Sequence, residues 1–356
     1  MHSASGSPLS IELFPEFGWS IHDEHVYGPG SVFQGIVHLN LTQPLEAERV
    51  RLVFRASEGF ASSSMGYHVS DSTKEHKLFA IQQVLWQRDR PGQKLGGSSY
   101  TFPFTVQMPL IQYPPSMEHE VYHCRFELTA QIDEPKKLHV PLSVTRRILY
   151  MPFIETTMLK EPAVKHASRP DMEASVSTCM LDYVPGDTVQ LSVDLATTAD
   201  KKPHASSITA ELRQQSTAII HGVSQKLVKV IATTSVQPKE YMDRHSYTRL
   251  ELPLAKDVTP SFDYGRLMTV DYLLRVTIKR KGPLGGIWSS TVTVDLPITI
   301  GTLGYGIKAS PDTQLYTTKV EAGAVPLQCP QFMRAIEYAD ALPVYDSIRL
   351  PAYGTV

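Results

Sequence analysis

Cysteine is scarce in this chain, and long hydrophobic runs are missing. The three cysteines, Cys124, Cys179 and Cys329, stand far apart in 356 residues, which argues against a disulfide framework and against a paired zinc spacing. No apolar run approaches the roughly 20 residues that cross a bilayer, and the first residues lack the charged-then-apolar order of a signal peptide. The sequence therefore predicts reduced thiols in the cytosol.

An excess of charge and a catalytic motif are missing as well. The formal net charge is -2, so nothing predicts a nucleic-acid partner. The sequence has no His-Glu-x-x-His, no Gly-x-Ser-x-Gly and no phosphate loop. The nearest approach to a metal cluster, His119 and His123 with Glu118 and Glu120, is too weak a pattern to predict a site. We expect no catalytic residue, no metal and no cofactor, and hence no enzyme.

Hydrophobic residues that alternate with polar ones dominate the chain. In "DTVQLSVDL" the residues at 189, 191, 193 and 195 are apolar, and every residue between them is polar, which is typical of a strand with one buried face. Similar strands lie at 49–56, 122–132 and 270–278, the first with Arg49, Arg51 and Arg55 on its solvent face. Apart from a short candidate helix at 71–80, the pattern predicts an all-β sandwich protein.

The alternating pattern occurs twice. "YGPGSVFQGIVHL" (27–39) aligns without a gap with "YVPGDTVQLSVDL" (183–195), at an offset of 156 residues. Pro141 and Pro297 keep this offset, and "YPPSM" (113–117) corresponds to "VTPSF" (258–262) at an offset of 145. The chain is thus predicted to hold two copies of one β-sandwich, with Gly30 and Gly186 in equivalent turns and a linker at 150–169.

These features resemble the arrestin fold. Tandem immunoglobulin-like sandwiches, each with a Tyr-x-Pro-Gly turn and a Pro-Ser loop, followed by a closing "PITIGT", are similar to the α-arrestins, the arrestin-related trafficking adaptors. The resemblance implies an arrestin-like N-terminal domain at 9–155 and an arrestin-like C-terminal domain at 156–303. Residues 304–356 have no alternating pattern and carry mixed charge, so we expect a flexible tail that joins neither sandwich core. The resemblance also implies a peripheral place at plasma membrane and endosomes, with a transporter or receptor as cargo.

The predicted tail contains the same four-residue motif twice. Leu-Pro-x-Tyr occurs at Leu342, Pro343 and Tyr345 and again at Leu350, Pro351 and Tyr353. It is close to Pro-Pro-x-Tyr, the polyproline II ligand of WW domains.

The resemblance implies that such motifs recruit a HECT-type ubiquitin ligase, so that cargo is ubiquitinated and endocytosed. The alternative is a retromer-type structural or coat subunit that recruits no ligase. Upstream of the motifs we expect a short helix from Pro330 to Ala341, because apolar residues lie along one stripe.

A second candidate surface is the hairpin "KRKGPLGGIWSS". Basic residues are followed by apolar ones among glycines, which suits an anionic membrane surface. The predicted membrane contacts are Lys279, Arg280, Lys281, Leu284, Ile287 and Trp288.

Overall fold

Nearly every element of the structure is a β-strand. The structure, a computed structural model, describes residues 7–15, 19–60, 75–90, 92–135, 141–159, 162–170, 172–196, 205–220, 223–238, 245–280, 290–317 and 328–333. The strands of the N-terminal half are Leu9–Leu13 (β1), Ser20–Ile21 (β2), Glu24–Tyr27 (β3), Val32–Asn40 (β4), Arg49–Phe60 (β5), His76–Gln87 (β6), Ser99–Gln107 (β7), Ile111–Gln112 (β8), Met117–Glu118 (β9), Tyr122–Asp133 (β10), Ser143–Arg147 (β11) and Leu149–Tyr150 (β12).

The strands of the second half follow a similar plan. They are Ala163–Arg169 (β13), Met172–Thr178 (β14), Asp182–Tyr183 (β15), Thr188–Ala196 (β16), Ala205–Ile220 (β17), Val223–Val236 (β18), His245–Pro253 (β19), Met268–Arg280 (β20) and Ser290–Ile300 (β21). Two short strands come last, Gln314–Leu315 (β22) and Gln331–Met333 (β23).

Each half forms a sandwich of two sheets with the same strand order. The N-terminal half has the orders β1-β4-β7 and β11-β10-β5-β6, and the C-terminal half has the orders β14-β16-β19 and β21-β20-β17-β18. Each half also has a short parallel pair, β3 with β12 and β15 with β21. The predicted all-β fold of two tandem sandwiches is confirmed, and the common strand order supports the duplication.

The alternating residues form the cores. The apolar residues of β16 at 189, 191, 193 and 195 are at most 2% exposed, and those of β5 and β10 are equally buried. Burial of one face per strand is the main stabilising contribution in such a sandwich, at roughly 25 cal/mol for each Å² of apolar surface.

Gly30 and Gly186 occupy equivalent turns, as predicted. Both have a positive φ, 76° and 93°, a conformation that glycine adopts at little cost. In each turn the side chain of the following residue, Ser31 or Asp187, accepts a hydrogen bond from the backbone N–H three residues earlier, at 2.9 and 2.8 Å. Two different side chains therefore close the same turn.

The two Pro-Ser loops are equivalent too. The N–H of Tyr150 donates to Ser116 Oγ at 2.9 Å, and the N–H of Ser116 donates to the carbonyl oxygen of Tyr150 at 2.8 Å. The N–H of Ile300 donates to Ser261 Oγ at 2.9 Å, and the N–H of Ser261 donates back to Ile300 at 2.8 Å. Each serine thus fixes its loop to the strand that closes its sandwich.

The segment between the sandwiches is shorter than the predicted linker at 150–169. Tyr150 belongs to β12, and residues 163–169 form β13, which pairs with β14. The remaining linker runs beside the chain that leaves the C-terminal sandwich: the N–H of Ile154 donates to Thr302 Oγ1 at 2.8 Å. A Cβ on Gly301 would lie 2.2 Å from Thr156 Cγ2, so this close approach requires glycine.

The tail differs from the expectation that 304–356 joins neither sandwich. Strand β22 pairs in parallel with β8, and β23 pairs antiparallel with β7. Tyr316 is 3% exposed, and its ring centroid lies 5.6 Å from that of Tyr113. These short strands fold because they cover an existing edge and core of the N-terminal sandwich.

Both expected helices are wrong where the structure describes them. Residues 331–333 form β23 rather than the start of a helix at Pro330, because Phe332 packs against the core beside β7. Residues 76–80 belong to β6, which pairs with β5. The remaining residues of the two expected helices, 334–341 and 71–74, lie outside the described part of the chain.

Candidate functional site

The predicted WW-binding residues lie outside the described residues. This applies to Leu342, Pro343, Tyr345, Leu350, Pro351 and Tyr353. The last described segment before them is β23, which ends at Met333 on the outer side of β7. Strand β7 itself lies between β4 and β23. The chain therefore departs toward both motifs from the edge of the N-terminal sandwich.

The predicted membrane hairpin is described only at its base. Lys279 is exposed and pairs in register with Thr291, and Arg280 pairs with Ser290 across β20 and β21. The residues proposed for its tip, Lys281, Leu284, Ile287 and Trp288, lie outside the described residues. The described part of this antiparallel pair ends at Arg280 and Ser290.

A buried carboxyl group, which the sequence analysis missed, lies in the N-terminal sandwich. Glu58 is 0% exposed, and its Oε2 accepts a hydrogen bond from the Tyr122 hydroxyl at 2.9 Å. Burial raises the pKa of Glu58 to about 7, although the Tyr122 bond and the charge of Arg266 act in the opposite direction. The carboxyl group therefore takes up a proton near neutral pH.

Residues from the C-terminal half lie close to this carboxyl. Burial and the Glu58 charge raise the pKa of Tyr316, whereas the Arg266 guanidinium lowers it. The hydroxyl of Tyr264 also donates to the carbonyl oxygen of Tyr113 at 3.4 Å. We call Glu58, Tyr122, Arg266 and Tyr316 the junction cluster, because it joins both sandwiches and the returning tail.

Glu58, Tyr122 and Tyr316 of the junction cluster are buried, whereas Arg266 is exposed. The carboxyl of Glu58 is closed to solvent, so no substrate can reach it in this conformation. A signal for it was present in the sequence, because Glu58 continues the buried series of β5 residues at 50, 52, 54 and 56. A charged residue at such a position indicates a buried, partnered carboxyl.

The histidines beside β10 do not assemble a metal site. Glu118 makes salt bridges with Arg125 at 2.7 Å and Arg147 at 3.3 Å. Burial lowers the pKa of both His119 and His123. Across the residues that the structure describes, no group of three or more His, Cys, Asp or Glu side chains could hold a metal ion.

The arginine face of β5 is occupied by carboxylates of the adjacent strand. Arg49 and Arg51 pair with Asp133, and Arg55 pairs with Glu127 at 2.6 Å. Exposed pairs of this kind contribute little to stability, because solvent screens them. Because these cations already have partners, this face offers little to an acidic ligand.

Comparison with known proteins identifies the two sandwiches. The model for "Arrestin (or S-antigen), N-terminal domain" matches residues 16–150, and the model for "Arrestin (or S-antigen), C-terminal domain" matches residues 169–305. None of the curated proteins matches the chain. In the described ranges, no helix is both long and apolar enough to cross a membrane. Two matching domains in tandem, on two sandwiches with one strand order, show that the chain belongs to the arrestin family.

Proposed function

We propose that this arrestin-family chain is an α-arrestin-type adaptor that links a membrane-protein cargo to a WW-domain HECT ubiquitin ligase. Membership of the arrestin family supports an adaptor role in general. The observation that carries the finer proposal is the duplicated Leu-Pro-x-Tyr motif after the arrestin domains. In this role the chain catalyses no reaction itself, and it works in the cytoplasm at plasma membrane and endosomes.

The chemistry of the motif fits a WW domain. The proline fixes φ near -65°, so less backbone entropy is lost on binding, and the tyrosine offers an apolar ring with a hydroxyl. Leucine in place of the first proline keeps apolar bulk but gives up some of this preorganisation. Each copy should therefore bind weakly, and a tandem WW protein should bind more tightly than a single domain.

The spacing of the copies supports joint binding. Tyr345 and Tyr353 lie about 25 Å apart if the chain is polyproline II-like, at roughly 3.1 Å per residue. Two small domains of one ligase can occupy that span. The second contact is then intramolecular, with a millimolar effective concentration and about 10²-fold higher avidity.

The test uses the full chain and a tandem WW-domain protein in a titration. Tyr345→Ala or Tyr353→Ala alone should remove most of the gain in avidity, and the double variant should abolish ligase binding and ubiquitination. The matched control is Val344→Ala at the variable position of the first motif, which should bind as the wild type does. Unchanged ligase binding by the double variant would refute ligase recruitment and leave the coat-subunit alternative.

A further inference from the structure

Strand β18 is the last strand of its sheet. The five-stranded sheet has the order β15-β21-β20-β17-β18, and among the described strands β18 pairs only with β17. An edge strand presents backbone N–H and C=O groups that another extended chain can pair with. At 14 residues, β18 is long for an edge strand.

A β-bulge divides β18 into two parts. Leu212 pairs with Ala232, but Arg213 pairs with Val230, so Ile231 has no opposite residue. On the C-terminal side, Ile231 and Ala232 pack against the core. On the N-terminal side of the bulge, the side chains that face the core and those that face outward are exchanged. We call this N-terminal part, Val223–Val230, the β18 edge.

The β18 edge exposes apolar side chains. Val228 is 55% exposed and Val230 is 47% exposed. They lie on the outer face of the sheet, opposite Gln215 and Arg213 of β17. Exposed apolar residues along an unpaired edge are a feature that proteins usually avoid unless a partner covers them.

The charged side chains of the β18 edge are all basic. It contains Lys226 and Lys229, both exposed, and no acidic residue. Within the described residues neither lysine has a salt bridge. Lys229 pairs in register with buried Gln214, so it lies on the side of the sheet that faces the body of the protein. The positive charge of Lys229 also acts on a residue of the N-terminal sandwich. It lowers the pKa of His119, although burial of His119 is the larger cause.

The positive charge of the β18 edge distinguishes between the strands that could pair with it. A second copy of β18 at the edge would bring four lysines to one seam, and like charges on adjacent strands are destabilising. An acidic strand would instead place a carboxylate beside each lysine. Charge complementarity therefore favours an acidic partner over self-association.

We propose that the β18 edge binds an extended acidic segment of a partner protein as an added β-strand. The partner strand would carry five residues opposite the segment from Val230 back to Lys226. In that order they would be apolar, acidic, apolar, apolar and acidic. The valines receive apolar side chains on the outer face, and each lysine receives a carboxylate. This interaction needs neither the Leu-Pro-x-Tyr motifs nor a ligase, so it is independent of the function proposed above.

The probe is a fluorescent peptide, Ser-Val-Glu-Val-Leu-Glu-Ser, titrated with the full chain and followed by fluorescence anisotropy. It should bind about ten-fold more tightly than the same peptide with lysine in place of both glutamates, because two cross-strand pairs change from attraction to repulsion. The Lys226→Glu/Lys229→Glu variant should reverse this preference. Lys256→Glu, at an exposed site after β19, is the matched control and should keep it.

Hydrogen exchange gives a second readout. The bound peptide should slow amide exchange within Val223–Val230 and leave the equivalent edge strand β6 unchanged. Val228→Thr/Val230→Thr, which keeps β-propensity, should weaken the peptide about as strongly as loss of the charges does.

Several results would overturn the proposal. One is equal affinity for the two peptides, and another is exchange that slows elsewhere but not at the β18 edge. If deletion of residues 334–356 raised peptide affinity ten-fold, the chain's own tail would be the occupant. If the wild type sedimented as a dimer that the threonine variant dissociates, a second copy would be the occupant.

Discussion

At the scale of single residues, Glu58 makes folding depend on pH. Its pKa rises from 4.5 in the unfolded chain to about 7 in the fold, mainly because of burial. The folded state therefore holds the proton more tightly than the unfolded chain. The stability from this group is fully present below pH 4.5 and is lost as the pH rises through 7.

Glu58→Gln should remove this dependence, since an amide carries no charge at either pH and its oxygen can still accept the Tyr122 bond. Between pH 5 and pH 8 the free energy of unfolding should fall by about 2–3 kcal/mol more in the wild type than in the variant. Urea titrations at both pH values measure the difference.

The matched control for this prediction is Glu251→Gln, on the exposed face of β19. It should keep the pH dependence of the wild type. If Glu58→Gln and the wild type lose the same stability between pH 5 and pH 8, other titrating groups cause the pH dependence.

At the scale of elements, interior strands could be predicted from the sequence, whereas edge strands could not. Strands β5, β10, β16 and β20 alternate because one face packs on a core. Strand β13 has no buried residue in its pattern, so it resembled a linker. Strand β23 has three residues and exists only through its pairing with β7.

The same distinction applies to the candidate sites. Leu-Pro-x-Tyr is a local motif, so four neighbouring residues suffice to propose it. The junction cluster combines residues 58, 122, 266 and 316, which only the tertiary fold brings together. Alternation could predict a buried Glu58, but it could not predict Arg266 or Tyr316 as neighbours.

The docking of β23 can be tested with Phe332→Asp. A charge at this partly buried position should release β23 from β7, because a carboxylate against the core is costly. Amide exchange should become faster in β7 and β23 but stay unchanged in β19, which is the equivalent of β7 in the other sandwich.

Gln331→Ala is the control for this change, because its side chain is exposed in the same strand. It should leave exchange in β7 as it is in the wild type. If the amides of β7 exchange as slowly in Phe332→Asp as in the wild type, Phe332 does not hold β23 against β7.

At the scale of the whole molecule, the two sandwiches carry their candidate surfaces at different places. The described part of the tail ends at Met333 beside β7 of the N-terminal sandwich. Strands β20 and β21, which flank the predicted membrane hairpin, belong to the C-terminal sandwich. The function proposed above would therefore place the ligase at the N-terminal sandwich and the membrane at the C-terminal one.

Replacement of Leu284, Ile287 and Trp288 by serine should test the membrane contact. Binding to phosphatidylserine vesicles should fall, because apolar anchoring is lost while the basic residues still contribute about 1 kcal/mol each. Cosedimentation measures binding, and neutral vesicles are the control. A large drop in melting temperature with unchanged vesicle binding would mean that the tip packs on the protein.

The pairing of β23 with β7 also affects how the protein is made. The ribosome delivers Ser99–Gln107 well before Gln331–Met333, and the whole C-terminal sandwich is translated in between. At about 5–20 residues per second, this delay is on the order of ten to fifty seconds. Throughout that time the nascent N-terminal sandwich lacks its last strand and the ring of Tyr316. Chaperones that recognise open strand edges therefore have their longest opportunity at β7, and synonymous codons that slow translation of the second half would lengthen it.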